Sequence, residues 1–534
     1  MWGDFLPMVA LFFFMAFVNT IIDSLKDTLV VTSVGGGPQV IPFLTVYAVF
    51  PSSLLFFTLF SIGTQVFSRA ALFNISISAF IAYFALFGGF LYPNHDVLHA
   101  TGLEPILAAL PPGLAGLGGM IRNWTFTTFY CISELWGDVV LSLMFWGLAN
   151  DTTPMDRAKV LYPLFGIGAN VAQVFSGKLL RFMGEYAVAT DMSFRTQLQI
   201  LLGICVGCSF CVLGVHAHIM RRARAAKRAA KAAEQAEMQA RMSKIDLGTN
   251  GAGAAGSTPP TPPPKKKKKG MKFAEAMRFV TSSPQIRMLA VMSLSQGVCT
   301  TLLEFAWKSE LRRLHPTPQA FSAFMGDVAA WTGITTVCLM LVSPYFFSKI
   351  GWTGVASTSP KLLLYGGTAF FVLATASHAF APALSSAGFS GPVLAALAIG
   401  GAALYVLNRG CKFSLFKPAE EMVYIMLDKE SRTKGKAAID VVGAQTGKSS
   451  SSILQQLLLL LSAGNMTTIL PVMMGFQLYI LRGWLKSVVG LGNFYNENQH
   501  KIGYQSTLQS VEDVKGHGPP AQPAQGPAGA PSPS

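Results

Sequence analysis

Three observations predict an all-α, polytopic membrane protein with twelve transmembrane helices in two six-helix pseudo-repeats. Of 534 residues, 51% are hydrophobic and 13% charged, with a mean hydropathy of +0.44. That balance belongs to chains that cross a bilayer many times. Apolar runs of spanning length recur along the whole chain. One basic, hydrophilic insertion divides them into two equal sets.

A run needs roughly 20 residues to cross about 30 Å of hydrocarbon. Such runs fall near residues 6–30, 41–62, 70–92, 124–149, 160–180 and 198–220, and again near 286–307, 321–348, 359–381, 391–411, 436–461 and 466–488. The connections are short except for residues 93–123, whose prolines and glycines predict an irregular loop. The expected organisation is a first bundle over 1–220, a basic linker over 221–285, a second bundle over 286–490 and a low-complexity tail over 491–534.

The linker carries most of the net charge of +15, because residues 221–272 hold 14 Lys/Arg against 3 Asp/Glu. Residues 221–246 are predicted to leave the membrane as a helix; 247–264 are Gly-, Ala-, Thr- and Pro-rich; Lys265 to Lys269 follow. By the positive-inside rule the linker faces the compartment from which the chain was inserted, and six spans on either side bring both termini to that face. The lysine run reads as solvated charge or as a contact for anionic lipid, since a nuclear signal makes little sense in a twelve-span protein, and no nucleic-acid partner is expected.

Seven cysteines lack the spacing of a disulfide framework. Cys205, Cys208 and Cys211 lie in an apolar run and read as small helix residues, so no metal or other cofactor is expected. No cleavable targeting segment is expected ahead of the first apolar run. Gly443–Ala444–Gln445–Thr446–Gly447–Lys448–Ser449 approaches a phosphate-cradling P-loop, but three residues separate its glycines where four are needed. A nucleotide-hydrolysing domain is therefore not expected.

Two offsets reveal a parallel repeat. Thr20–Asp23 in the first span has a counterpart in Thr301–Glu304 of the seventh, 281 residues on. Arg157, Lys159, Gly168 and Asn170 recur 275 residues later as Arg432, Lys434, Gly443 and Gln445. Six-span repeats joined by a hydrophilic linker are the organisation of major-facilitator-like transporters, whose site lies midway between the halves.

An ionisable side chain at the bilayer centre costs about 2.5–3.5 kcal/mol, so several of them call for a shared wet cavity. Asn19, Asp23 and Lys26 share one face of the first span, with Asp27 beside them. Tyr130, Glu134 and Asp138 stack on the fourth, and Glu304 and Lys308 form an i, i+4 pair on the seventh. Asn170 and Gln173 mark one face of the fifth, while Gln445, Lys448 and Ser452 mark its repeat mate. The 275-residue offset carries Glu134 onto Arg409, an acid in one half against a base in the other. Cations suit phosphates, and amides and aromatics suit a base and ribose. Structural accounts stay open: Glu304 and Lys308 as a helix-pinning ion pair, Lys308 and Lys448 snorkelling to the interface, Asn170 as a packing amide, Asp138 as an interfacial cap.

Several segments together resemble the nucleotide transporters of plastids and obligate intracellular bacteria, the ATP/ADP translocases. They are Leu25–Thr32; Ile41–Leu44; Glu134–Trp136 through Phe145–Trp146 and Ala149–Asn150; Tyr162–Gly166 with Gly168–Asn170; Glu304 with Trp307–Lys308; and Lys434–Asp440 ahead of Gly447–Ser449. The resemblance implies counter-exchange of ATP for ADP, in some members with phosphate accompanying ADP, across the plastid inner envelope or a bacterial plasma membrane. It places transport roles on Lys26, Glu134, Glu304 and Lys436 and phosphate recognition on Asn170. Asp23, Lys308, Arg409, Lys434, Asp440 and Lys448 complete the expected substrate-binding set. Two departures bear on substrate preference: Gly443–Ala444–Gln445 lacks a cation usual before the late GKS, and Gly35–Pro38 replaces the usual Gly-Ala-Glu.

The expectation is thus a monomeric, alternating-access ATP:ADP antiporter embedded in a lipid bilayer, with ATP, ADP and phosphate as partners and a cationic excess in its cavity. A proton-coupled or broad-specificity nucleoside triphosphate importer is the rival within transport. A nucleotide-processing membrane enzyme or a non-transporting receptor are rivals from other classes.

Overall fold

The computed structural model describes residues 2–152, 155–246, 281, 283–427, 439 and 449–516. They form helices and connecting turns, with no strand among them. The first half comprises α1 (Trp2–Thr32), α2 (Pro38–Val66), α3 (Arg69–Leu91), α4 (Trp124–Asn150), α5 (Met155–Ala189) and α6 (Phe194–Asp246). The second comprises α7 (Pro284–Leu314), α8 (Pro318–Ala356), α9 (Thr358–Ala379), α10 (Ser390–Met426), α11 (Ser449–Leu461) and α12 (Met466–Gly516).

Ten of these are long and apolar enough to cross a membrane. α5 is long enough but carries Asn170, Gln173, Lys178 and Arg181, which lower its hydropathy. α11 is the described part of the run expected over 436–461. The order agrees with twelve spans. α6 continues as a helix past the apolar stretch to Asp246, as its Ala/Arg/Lys composition predicts, and α12 runs to Gly516, across the expected start of the tail.

Residues 93–123 depart from the irregular loop expected. They fold into short helices at His95–Leu98, Glu104–Ala108 and Ala115–Arg122. Pro105 enters the first turn of its helix, where a missing N–H costs nothing. Gly116 and Gly119 let Ala115–Arg122 lie against the α1–α2 turn: a Cβ on them would stand 2.2 Å from the Gln39 carbonyl oxygen and 2.3 Å from that of Gly35.

Each half has its own apolar core. Leu11, Leu25, Trp136, Phe145 and Phe165 anchor the first, and Leu289, Trp307, Phe371, Leu470 and Trp484 the second. A buried indole needs an acceptor for its N–H. Trp136 donates to the Met15 carbonyl at 3.1 Å, and Trp307 to that of Ala398 at 2.9 Å.

The halves meet closely along α5 and α8. A Cβ on Gly177 would lie 2.5 Å from the Gly326 carbonyl oxygen, and one on Gly333 would lie 2.7 Å from that of Asn170, so the two backbones touch. Arg181 and Lys178 of α5 reach Asp327 of α8 at 2.9 and 3.8 Å. Arg312, in the last turn of α7, donates to the Gly36 carbonyl just past α1 at 2.6 Å, and Gln456 of α11 to that of Pro42 at 2.9 Å. These contacts join the halves from mid-span to the face opposite the linker.

Candidate functional site

Helices α1, α2, α4, α7, α10 and α11 enclose a chamber of about 280 Å3 at mid-span. The charge stripe of α1 faces it, because Asn19, Asp23, Lys26 and Asp27 recur with helical spacing on one side while Leu25 and Ile22 turn into the core. Glu134 and Asp138 enter from α4, Thr301, Glu304 and Lys308 from α7, and Tyr405 and Arg409 from α10. Just past Glu134, α4 loosens into π-helical turns over Trp136–Phe145, and α10 does so over Lys412–Phe416, just past Arg409. Such turns recur at functional positions in helices.

Two lysines organise the chamber. Lys26 donates to Asp23 on its own helix and to Glu134 of α4, and its ammonium lies 4.9 Å from the centre of the Tyr130 ring. Lys308 donates at 2.7 Å to Glu304, one turn back on α7, and at 2.7 Å to Asp27 of α1. Both side chains of the second contact are almost sealed from solvent, Lys308 at 3% exposure and Asp27 at 5%. The other oxygen of Asp27, Oδ1, is buried without a hydrogen-bond partner among the described residues. Arg409 lies over Tyr405 at 5.5 Å, and Tyr405 stacks on Trp307 at 5.0 Å.

Of the residues expected to bind substrate, Asp23, Lys26, Glu134, Glu304, Lys308 and Arg409 line this one cavity. Lys308 is buried and paired instead of snorkelling, and Asp138 stands in the chamber wall instead of capping a helix at the interface. Asn170 lies elsewhere. It sits on α5 against α8, its side-chain amide donating to the Gly166 carbonyl at 2.8 Å. Lys434, Lys436, Asp440 and Lys448 lie outside the described residues.

The expected cationic excess is not found among the described lining residues. Asp23, Asp27, Glu134, Asp138 and Glu304 face Lys26, Lys308 and Arg409, five carboxylates against three cations. The sign follows from the α1 and α4 stripes, which are acidic on balance. Two features were missed in the sequence. Tyr405 is the 275-residue mate of Tyr130, so each half places a tyrosine under a cation. Asp27 and Lys308 are 281 residues apart, equivalent positions under the repeat, and they bond directly across the boundary between halves.

A family model described as TLC ATP/ADP transporter matches residues 2–250 and 256–495. This chain belongs to that family. Its relatives include the ADP,ATP carrier protein 2, chloroplastic, of Arabidopsis thaliana, 34% identical over 95% of this chain and 77% of that one. The ADP,ATP carrier protein 1 of Chlamydia muridarum is 35% identical over 92% of this chain and 88% of that one. Among solved structures, a D-xylose-proton symporter overlays with a TM-score of 0.50 at 13% identity, covering 89% of this chain and 95% of that one. That likeness concerns the fold alone, and it agrees with a major-facilitator-like arrangement. The TLC ATP/ADP transporter family thus spans both six-helix halves of this chain.

Proposed function

We propose that this protein is an antiporter exchanging ATP for ADP by alternating access, in a plastid inner envelope or a bacterial plasma membrane. The observation that carries the reading is that the family match extends through both halves, on either side of the linker. In this reading residues 1–220 and 286–490 move as two bodies, joined by the linker at 221–285 and followed by the tail at 491–534. Transport is the whole of the chemistry, and the nucleotide leaves unhydrolysed.

Phosphate oxygens take the place of carboxylates around Lys26, Lys308 and Arg409, while Tyr130 and Tyr405 offer aromatic faces to the base. Lys434, Lys436 and Lys448 are proposed to add positive charge for the phosphates, and Asp440 belongs to the same proposed substrate-binding set; all four lie outside the described residues. Asn170, on the α5–α8 seam, serves phosphate when the two helices part. Without cargo, Lys308 stays on Asp27 and the far face stays shut. Parting that pair in a low-dielectric interior leaves two unpaired charges, costing about 3–5 kcal/mol, and this barrier makes exchange obligatory. Phosphate accompanies ADP and lessens the charge mismatch with ATP.

Purified protein in liposomes should take up labelled ATP only when ADP or ATP is loaded inside, and release no phosphate from it. Labelled phosphate should enter with ADP against internal ATP. Uptake driven by a pH gradient into vesicles holding no nucleotide would transfer the assignment to a proton-coupled importer.

A further inference from the structure

Cations in the chamber suit the phosphates of any nucleotide, and a tyrosine face stacks on any ring, so neither tells one nucleobase from another. A base edge is read by a hydrogen-bonding group of fixed direction. One side of the chamber has the composition for such a reader. Among the described lining residues α2 and α11 contribute no charge: Ile41, Thr45 and Val49 come from the first, Ser452 and Gln455 from the second.

Gln455 is buried on this wall, where an amide costs free energy unless it is hydrogen-bonded. Its Nε2 donates to the Thr301 carbonyl of α7 at 3.1 Å. A main-chain carbonyl only accepts, so the amide cannot turn over without setting two oxygens against each other. That contact fixes which end of the amide is left over. Its oxygen Oε1 has no hydrogen-bond partner among the described residues and is the group that Gln455 offers to the chamber. Helix packing does not call for an amide here. The 275-residue offset puts Leu180 at the equivalent place on α5, buried in the core of the first half. The second half thus holds an oriented acceptor where the first holds hydrocarbon.

We propose that Gln455 is the residue that determines base specificity, its Oε1 accepting from the exocyclic amino group of adenine. The inference rests on the antiport reading above for the kind of cargo and adds which edge of that cargo is read. Adenine carries an N–H donor at position 6, whereas guanine and hypoxanthine carry an oxygen there, as uracil does at position 4. Such an oxygen meets Oε1 lone pair to lone pair. Both acceptors then stay buried and unpaired, which costs more than the matched hydrogen bond contributes. Cytosine also presents an amino group, on a smaller ring. The expected order is ATP first, CTP next, and ITP, GTP and UTP last.

The sharpest probe is ATP against ITP, which differ at position 6 and in the N1 proton that goes with it. Each competes with labelled ATP for the full chain in bilayer nanodiscs. Wild type should bind ATP about tenfold to a hundredfold more tightly than ITP, the effect of one buried acceptor left unpaired. Gln455→Met keeps the volume and removes the amide, and it should bring the two affinities to within about threefold, chiefly by weakening ATP. A residue that only packs would weaken both nucleotides alike and leave their ratio unchanged. Should Gln455→Met fail to elute as a monodisperse species, Gln455→Leu, the residue of the first half, takes its place. Equal affinity of wild type for ATP and ITP would overturn the assignment, as would a ratio that the variants preserve or an absence of binding by either nucleotide. Exchange of ATP for ADP in liposomes tests the antiport reading separately. Base discrimination in binding without exchange would remove that reading and leave Gln455 in its role, whereas exchange with equal KM for ATP and ITP would do the reverse.

Discussion

The two lysines of the chamber are built alike and anchored differently. Each has a carboxylate on its own helix, Asp23 for Lys26 and Glu304 for Lys308. The second carboxylate of Lys26 is Glu134, in the same half, whereas that of Lys308 is Asp27, in the opposite half. The Lys26 cluster can travel intact with a rocking bundle. In the exchange cycle proposed above, the Lys308 contact breaks when the far face opens. The difference in one partner would thus separate a charge cluster that moves with its half from one that ties the two halves together.

The comparison breaks most severely at Lys26. Lys26→Ala leaves Asp23, whose side chain is 47% exposed to the chamber, and Glu134 facing each other without their shared cation. ATP/ADP exchange in liposomes should fall roughly 100- to 1,000-fold while folded protein remains in the membrane. Exchange at the wild-type rate would remove Lys26 from the site.

Next in size is the contact between halves. Asp27→Asn should raise labelling of a cysteine placed at Thr45, on the chamber wall, by membrane-impermeant maleimide applied from the far face, by about tenfold for a close charge pair. The exchanged pair Asp27→Lys with Lys308→Asp should restore low labelling. Asp23→Asn, inside the Lys26 cluster, should leave it low. Equal effects from Asp23 and Asp27 would erase the distinction between the two lysines.

The α5–α8 seam sharpens the comparison from the uncharged side. Gly326→Leu drives a side chain into the Gly177 carbonyl and the Arg181 N–H, 2.6 and 2.7 Å from its Cβ. It should destabilise the protein by about 1–3 kcal/mol, read as a lowered Tm. An unchanged Tm would show that this seam gives way easily.

The smallest effect concerns pH on the far face. His99 accepts or donates at 2.7 Å with Thr125 Oγ1, and burial, with His95 and Arg122 nearby, pushes its imidazole down from the ordinary 6.5 to about 4. Residues 93–123, a strap of short helices, refuse in the folded state a proton that they take up when unfolded. Its stability is complete above pH 6.5 and falls as pH drops from 6.5 towards 4, by at most about 1.4 kcal/mol per unit. The Tm advantage of wild type over His99→Gln should shrink between pH 7 and 5. A constant difference would show that His99 titrates normally.

The bundle was legible in the sequence because crossing hydrocarbon demands long apolar runs, and Asp23, Lys26, Glu134, Glu304, Lys308 and Arg409 were legible because charge is rare in such runs. The 281-residue offset even contained the Asp27–Lys308 contact, but an offset gives equivalence and not distance. Only the packing of α1 against α7 turns equivalent positions into touching ones. The strap at 93–123 escaped notice because its glycines suggest loop, whereas their use is to let Ala115–Arg122 rest on the Gln39 and Gly35 carbonyls. The charge balance was less legible because the sign of the chamber wall depends on which faces of α1 and α4 turn inward.

The meeting of positions 27 and 308 also limits how such a protein can be assembled. Two identical copies of the first half, docked about the same axis, would bring Asp27 against Asp27, and two copies of the second would oppose Lys308 to Lys308. Like charges at that separation in a dry interior repel by several kcal/mol. Unlike residues at one central point therefore make the halves choose each other over themselves, and a chain severed within its linker should still reassemble as a heterodimer.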